Sequence, residues 1–172
     1  TLIVKNPLKL DCGKTIKDFP IAYETYGSLN SKKDNAILVF HALTGDQFVT
    51  GINPVTKKEG WWSYVVGPHK AIDTNKYFVI CSNVIGGCMG SYGPSHKNPD
   101  NQNIFGKNLP IITINDMVNA QYNLLDHFGI DKLFSIAGGS MGGMQVLQFI
   151  SNFPDKSKTV VPIATTSSHS AQ

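Results

Sequence analysis

Four continuous apolar runs set the strongest limit on how this chain can fold. They span residues 36–41, 76–84, 132–138 and 159–165 and read AILVFH, KYFVICSNV, KLFSIAG and TVVPIAT. Because these runs do not alternate between apolar and polar side chains, they are typical of strands buried on both faces of a parallel sheet. We therefore expect helices to cover both faces of the sheet. An earlier segment, IAYETY at 21–26, is rich in β-formers and predicts a further strand.

Two segments between the later runs have the pattern of helices. The first carries a stripe of apolar residues at helical spacing, namely Ile114, Met117, Val118, Leu124, Leu125 and Phe128. Thr113 can cap its start, Asp116 lies in the first turn where the helix dipole favours an anion, and Gly129 can end it. The second helix is expected over residues 141–152, before Pro154. Alternating strands and helices predict an α/β fold.

Composition and charge argue against a disordered or fibrous chain and against a nucleic-acid-binding protein. The chain has 172 residues, 41% hydrophobic and 16% charged, which fits one packed domain. All fifteen basic residues are lysines and the formal net charge is +3. Without the planar fork of arginine, which reads phosphates and guanines, nucleic acid is not an expected partner.

The cysteines and histidines argue against structural metal sites and disulfides. Cys12, Cys81 and Cys88 are odd in number and share no C-x-x-C spacing, which favours a reducing compartment, and the cytoplasm is the expected location. The five histidines have no ligand spacing, so no metal is expected. No run approaches eighteen apolar residues and the N-terminus lacks the apolar stretch of a signal peptide, so we expect no membrane association.

The stretch IAGGSMGGMQ at 136–145 carries the clearest chemical signal. Gly138, Ser140 and Gly142 supply G-x-S-x-G between a buried strand and a helix, which is the context of a nucleophile elbow. Such a turn strains the serine backbone, and side chains at 138 and 142 would collide with their surroundings. The alternative is a tight turn or a phosphate cradle, but the lysine and serine that end a P-loop are absent. We interpret Ser140 as a nucleophile.

A second segment, GGCMG at 86–90, also spells a nucleophile motif after a buried strand. Cys88 is therefore a rival nucleophile. The residues that follow, SYGPSHKNPDNQN at 91–103, hold two prolines and several asparagines and cannot form the helix that an elbow needs. We expect Cys88 to be a loop residue near the pocket.

An oxyanion hole for Ser140 requires two backbone amides. The amide of Met141 lies at the start of the helix, and the segment HALTGD at 41–46 follows an earlier buried strand, so the amide of Leu43 can face the same oxygen. His41 begins this segment, and we interpret it as a packed strand-end residue.

The acid and base of a triad are harder to place. With the chain order serine, acid, histidine, only Asp155 and His169 follow Ser140. Asp155 lies at the far end of the elbow helix, and His169 follows only the strand next to that of the nucleophile, so we reject both. We expect the acid and base to lie beyond Gln172, and the sheet to be incomplete on its C-terminal side.

Taken together, the motifs resemble the N-terminal half of the homoserine O-acetyltransferase family, which has the α/β-hydrolase fold. They are IAYETYG, HALTGD, GWW at 60–62, AIDTNKYFVICSNVIGGCMGSYGP, ITINDMV, GGSMGGMQ and PIATTSSHSAQ, and they cover nearly the whole chain. The resemblance implies that residues 1–172 are the N-terminal part of a single domain. The family's helical lid, C-terminal strands, aspartate, histidine and carboxylate-binding arginine would lie beyond Gln172.

The resemblance also implies an activity. The family transfers an acetyl group from acetyl-CoA to the hydroxyl of L-homoserine, in methionine biosynthesis, by a ping-pong mechanism with no bound cofactor. Carried over by position, Ser140 is the acyl-enzyme nucleophile and the amides of Leu43 and Met141 form the oxyanion hole. A homodimer of the full-length protein is expected. Trp61 and Trp62 either line the pocket or pack under a loop.

Two kinds of alternative stay open. The donor can be succinyl-CoA, or the acceptor serine or water, because the elbow does not distinguish acyl transferases from esterases. Alternatively, the chain is a catalytically inactive fragment that lacks the triad aspartate and histidine. An open strand edge near residues 159–165 would then favour association or aggregation.

Overall fold

A five-stranded, mostly parallel sheet forms the centre of the molecule in the computed structural model, which describes residues 1–98 and 101–168. The strands in chain order are β1 (Leu2–Val4), β2 (Leu8–Lys9), β3 (Thr15–Ile16), β4 (Phe19–Ile21), β5 (Tyr23–Tyr26), β6 (Ala36–Phe40), β7 (Val66–Gly67), β8 (Ile72–Asp73), β9 (Phe78–Ser82), β10 (Leu133–Gly139) and β11 (Ser157–Ile163). The central sheet has the order β11-β10-β6-β9-β5. Only β5 runs antiparallel to its neighbour, β9. The predicted α/β class and mostly parallel sheet are confirmed.

Two helices connect the later strands, and both end where the sequence predicts. Helix α1 (Ile114–Phe128) begins with a capping box, in which Thr113 accepts a hydrogen bond from the Asp116 amide and Asp116 accepts one from the Thr113 amide. It ends at Gly129, whose φ of 64° is left-handed. Helix α2 (Met141–Asn152) starts directly after Ser140. A short 3-10 helix (Gly106–Asn108) lies in the long segment between β9 and α1.

The two faces of the sheet are covered differently, and here the sequence prediction needs correction. Alternate residues of β6 point to opposite faces: Leu38 joins the core that α1 and α2 cover, whereas Val39 joins a second, smaller core. In the described residues no helix covers that second core. The segment between β6 and β9 covers it instead, because Val49, Val66 and partly buried Trp62 fill the space where a helix was expected.

The last strand also differs from its predicted burial. The run at 159–165 was expected to be a buried strand, but β11 lies at the edge of the sheet and its residues from Lys158 to Ile163 are exposed. Val160 and Val161 keep 40% and 44% of their surface accessible. Within the described residues, no element pairs with the outer edge of β11.

Candidate active site

Ser140 occupies a strained turn between β10 and α2. Its φ of 55° and ψ of −122° are rare for a residue with a side chain, and such a conformation costs about 1–3 kcal/mol, which the surrounding structure must offset. Three hydrogen bonds hold the backbone there: the Ser140 amide donates to the Ile163 carbonyl at 3.0 Å, and the Ser140 carbonyl accepts from the Thr165 hydroxyl at 2.9 Å and from the Met144 amide at 3.1 Å. The Ser140 side chain does not cap the helix, and the residue is exposed. The hydroxyl is therefore accessible at the carboxyl end of the sheet.

The glycines on either side of Ser140 are required by close backbone contacts. A Cβ atom at Gly138 would lie 2.5 Å from the Gly142 carbonyl oxygen, and one at Gly142 would lie 2.1 Å from the Phe40 carbonyl oxygen. Both distances are far below a van der Waals contact, so the predicted crowding at 138 and 142 is confirmed. As a result, the first turn of α2 packs directly against the end of β6.

The structure brings the two predicted oxyanion-hole residues to one cavity. Leu43 and Met141 both line a space of about 420 Å³ between α2, the segment after β6 and the segment after β9. Among the described residues, neither amide donates a hydrogen bond to another protein group. The amide of Met141 also belongs to the first turn of α2, where the positive end of the helix dipole favours an anion. Both amides are therefore available as donors among the described residues; their role as an oxyanion hole stays a prediction.

His41 is buried and has a fixed tautomer. Its Nε2 accepts a hydrogen bond from the Val84 amide at 3.2 Å, and its Nδ1 lies 2.7 Å from the Ala42 carbonyl oxygen. Because an amide can only donate and a carbonyl can only accept, the proton is on Nδ1 and the ring is neutral. Burial lowers the pKa of His41 below its usual 6.5. His41 thus fastens the segments after β6 and β9 together, as expected for a packed strand-end residue.

Cys88 lines the same cavity but does not sit in an elbow. The segment after β9 continues as turns and bends rather than as a helix, so no helix start supports Cys88. The expectation of a loop residue near the pocket is confirmed. Asn83 holds this segment in place, since its Oδ1 accepts a hydrogen bond from the Met89 amide at 3.1 Å.

The described residues place neither a histidine nor a carboxylate in hydrogen-bond contact with Ser140. Asp155 is exposed in the turn after α2, and α2 has 12 residues, so about 18 Å of helix separates Asp155 from the end where Ser140 lies. This distance supports the rejection of Asp155. His169 lies outside the described residues.

The two tryptophans do not line the cavity. Their rings stack at 5.5 Å, Trp62 packs against the second core, and the Trp61 indole donates to the Asp46 carbonyl at 2.9 Å. The sequence left two roles open, lining the pocket or packing under a loop, and Trp62 has the packing role.

Sequence analysis missed a group of buried polar side chains beneath the elbow. Ser82, Gln121 and Gln145 are all at most 1% exposed and are hydrogen-bonded to one another. The available signal was the position of the two glutamines, which fall on the buried faces of otherwise apolar helices. Sequence analysis also missed the apolar wall of the cavity, which Leu109, Ile112 and Met117 supply.

Two further observations concern metals and membranes. Within residues 1–98 and 101–168, no three His, Cys, Asp or Glu side chains form a group that could hold a metal ion. In the same part of the chain, neither helix has the length and apolar character needed to cross a bilayer.

A family model described as the alpha/beta hydrolase fold matches residues 35–172, and the chain belongs to this family. Within it, the sequence resembles the N-terminal half of homoserine O-acetyltransferases. The relative from Pelagibacter ubique is 72% identical over 171 residues, which are 99% of this chain and 46% of that protein. The relative from Methanococcus vannielii is 58% identical over all of this chain and 35% of its own length. The chain therefore spans less than half of these curated relatives.

Solved structures give the same result for the fold. Homoserine O-acetyltransferase from Bacillus anthracis superimposes with a TM-score of 0.83 at 32% identity, over 92% of this chain and 44% of that one. Esterase E22 superimposes with a TM-score of 0.80 at 33% identity, over 88% of this chain and 43% of its own.

Proposed function

We propose that this chain is the nucleophile-bearing half of a homoserine O-acetyltransferase. The observation that carries the proposal is Ser140, held at a strained elbow directly before Met141, which lines a cavity together with Leu43, in a chain 72% identical to a protein named for this activity. Ser140 is the nucleophile, and the amides of Leu43 and Met141 are the oxyanion hole.

The chemistry follows from these groups. The Ser140 oxygen attacks the thioester carbonyl carbon of acetyl-CoA and loses its proton to a base. The carbonyl oxygen becomes an oxyanion that accepts hydrogen bonds from Leu43 and Met141, and losing one such donor typically lowers the rate 10²- to 10³-fold. The C–S bond then breaks, CoA leaves as the protonated thiol, and acetyl-Ser140 remains. The hydroxyl of L-homoserine attacks this ester and releases O-acetylhomoserine and free Ser140.

The base and acid of the reaction are proposed to come from a second half. Its length is suggested by the curated relatives, of which this chain spans 46% or less. That half would add the C-terminal strands, a helical lid, the aspartate and histidine of the triad and an arginine for the homoserine carboxylate. We call these 172 residues joined to such a half the complete enzyme. We further propose that it is a cytoplasmic homodimer in methionine biosynthesis.

The cavity suits the acyl group of the substrate. Leu109, Ile112 and Met117 form an apolar wall, which favours an acetyl group over a charged succinyl group. An apolar wall also excludes water, which the acetyl-enzyme must avoid if transfer is to compete with hydrolysis.

An esterase is the second candidate, because esterase E22 is nearly as similar in fold as the B. anthracis transferase. In an esterase, water replaces homoserine as the acceptor. The two candidates share Ser140 and the oxyanion hole and differ in the second step.

Single-turnover mass spectrometry tests these proposals. The complete enzyme is mixed with acetyl-CoA, and the mass of the peptide that contains Ser140 is followed before and after addition of L-homoserine. We expect acetylation at Ser140, absence of this label in Ser140→Ala, and discharge by homoserine much faster than by water. Discharge at the same rate with and without homoserine would support the esterase instead. Failure to label Ser140 would refute both. Replacing acetyl-CoA with succinyl-CoA tests which donor is used. The 172-residue chain alone should not be acetylated at Ser140, because it lacks the proposed base.

A further inference from the structure

A chain of three buried side chains runs beneath the elbow and links three elements. The Ser82 hydroxyl, at the end of β9, donates to Gln121 Oε1 in α1 at 2.7 Å, and Gln121 Nε2 donates to Gln145 Oε1 in α2 at 2.7 Å. The direction of each bond is fixed: Gln121 Nε2 also donates to the Met117 carbonyl at 3.2 Å, and a carbonyl can only accept. The amide groups of both glutamines therefore have one orientation.

At its Gln145 end, this row of hydrogen-bonded side chains contacts the two segments that carry the candidate oxyanion hole. Gln145 Nε2 donates to the His41 carbonyl at 3.3 Å and to the Met141 carbonyl at 3.4 Å. His41 lies two residues before Leu43, and Met141 supplies the other amide. One side-chain nitrogen thus bridges the backbone segments of both donors.

We propose that Gln145 is a positioning residue that sets the separation of the Leu43 and Met141 amides, an inference that rests on the proposed function. Two opposing contacts fix that separation. Gly142 packs so closely on the end of β6 that the two segments cannot approach further. The bonds from Gln145 prevent them from moving apart. Gln121 and Ser82 keep the Gln145 amide turned toward the carbonyls, since a flipped amide would leave a buried acceptor facing two carbonyl oxygens.

The geometry also explains why a polar side chain occupies this position. Gln145 is fully buried, and its neighbour Val146 packs in the main core. An apolar side chain of similar length would fill the space equally well but could not bridge the two carbonyl groups. A positioning role therefore predicts that Gln145→Met slows acetylation of Ser140 even in enzyme that remains folded.

The test compares Gln145→Met with Gln148→Met in the complete enzyme. Gln148 is a matched control on the same helix, partly buried and hydrogen-bonded to Asn152 rather than to either amide segment. We measure the single-turnover rate of Ser140 acetylation, the Kd for acetyl-CoA, and the affinity for a trifluoromethyl ketone, which forms an oxyanion on the serine. For Gln145→Met we expect acetylation to slow about 10- to 100-fold, the ketone affinity to fall in the same ratio, and the Kd for acetyl-CoA to stay within about twofold. Gln148→Met should leave all three unchanged.

The outcomes separate this inference from the function on which it rests. A wild-type enzyme that is never acetylated at Ser140 refutes the proposed function and this role with it. Wild-type labelling combined with equal rates for Gln145→Met refutes only the positioning role, as does a slower rate without the matching loss of ketone affinity. If Gln145→Met does not fold, Ser82→Ala decides, because it removes the far donor without touching α2. Acetylation about threefold slower or more is then expected, and an unchanged rate overturns the inference.

Discussion

A Cβ atom added at Gly142 would lie 2.1 Å from the Phe40 carbonyl oxygen and 3.1 Å from the His41 carbonyl oxygen. Close C···O contacts in proteins lie at about 3.3–3.6 Å, so in Gly142→Ala the start of α2 must move about 1.2 Å away from β6. Overpacking of this kind typically destabilises a protein by about 1–3 kcal/mol, which lowers the Tm of a domain this size by about 2–12 °C. A displacement near 1 Å at a reacting group also slows catalysis about 10²-fold.

The matched control is Gly139→Ala, three residues earlier in the same turn. Its added Cβ meets only the Ile163 carbonyl oxygen, at 3.9 Å, and should be tolerated. Thermal unfolding followed by circular dichroism gives the stability of both variants, and single-turnover acetylation of the complete enzyme gives the effect on Ser140. The reasoning is refuted if the two variants have the same Tm and the same acetylation rate.

Two further predictions concern ionisation and thiol reactivity. Burial lowers the pKa of His41 in the folded state, so the unfolded chain binds this proton first, and the free energy of unfolding should fall as the pH drops below about 6.5. Urea titrations against pH should show a shallower fall in His41→Gln, and an identical slope would contradict the assignment. Cys12 and Cys88 are exposed, whereas burial raises the pKa of the Cys81 thiol, so a thiol reagent should label two cysteines in the native chain and three after denaturation. Rapid native labelling of Cys81, detected by mass spectrometry, would count against this.

Local signals in the sequence predicted both helices and the turn at Ser140. The capping residues Thr113 and Gly129 fixed both ends of α1, and the elbow motif fixed the junction of β10 and α2, because each rests on contacts within a few residues. The apolar runs predicted the central strands for a different reason: a run such as 36–41 is stable only where other segments cover both of its faces.

Features that depend on distant residues were not predictable. Nothing in the composition of 159–165 distinguishes a central strand from an edge strand, because the difference lies in which other segment packs on it. The covering of the second face by residues near Trp62 is likewise set by tertiary packing. In the candidate site, Ser140, Leu43 and Met141 followed from the motif, whereas the link from Ser82 through Gln121 to Gln145 spans more than 60 residues and has no sequence pattern.

The backbone of Ser140 depends on an edge strand of the sheet. Its amide is bonded to Ile163, the last residue of β11, and its carbonyl to Thr165 just beyond. Edge strands open locally at a lower free energy than central ones, and each opening of β11 would release the bonds to Ile163 and Thr165 and leave only the Met144 amide on the Ser140 carbonyl. Amide hydrogen exchange at Ser140 should therefore follow that of β11 rather than that of β10. In thermodynamic terms, any segment that pairs with the outer edge of β11, which is unpaired among residues 1–98 and 101–168, also raises the free energy needed to relax the Ser140 backbone.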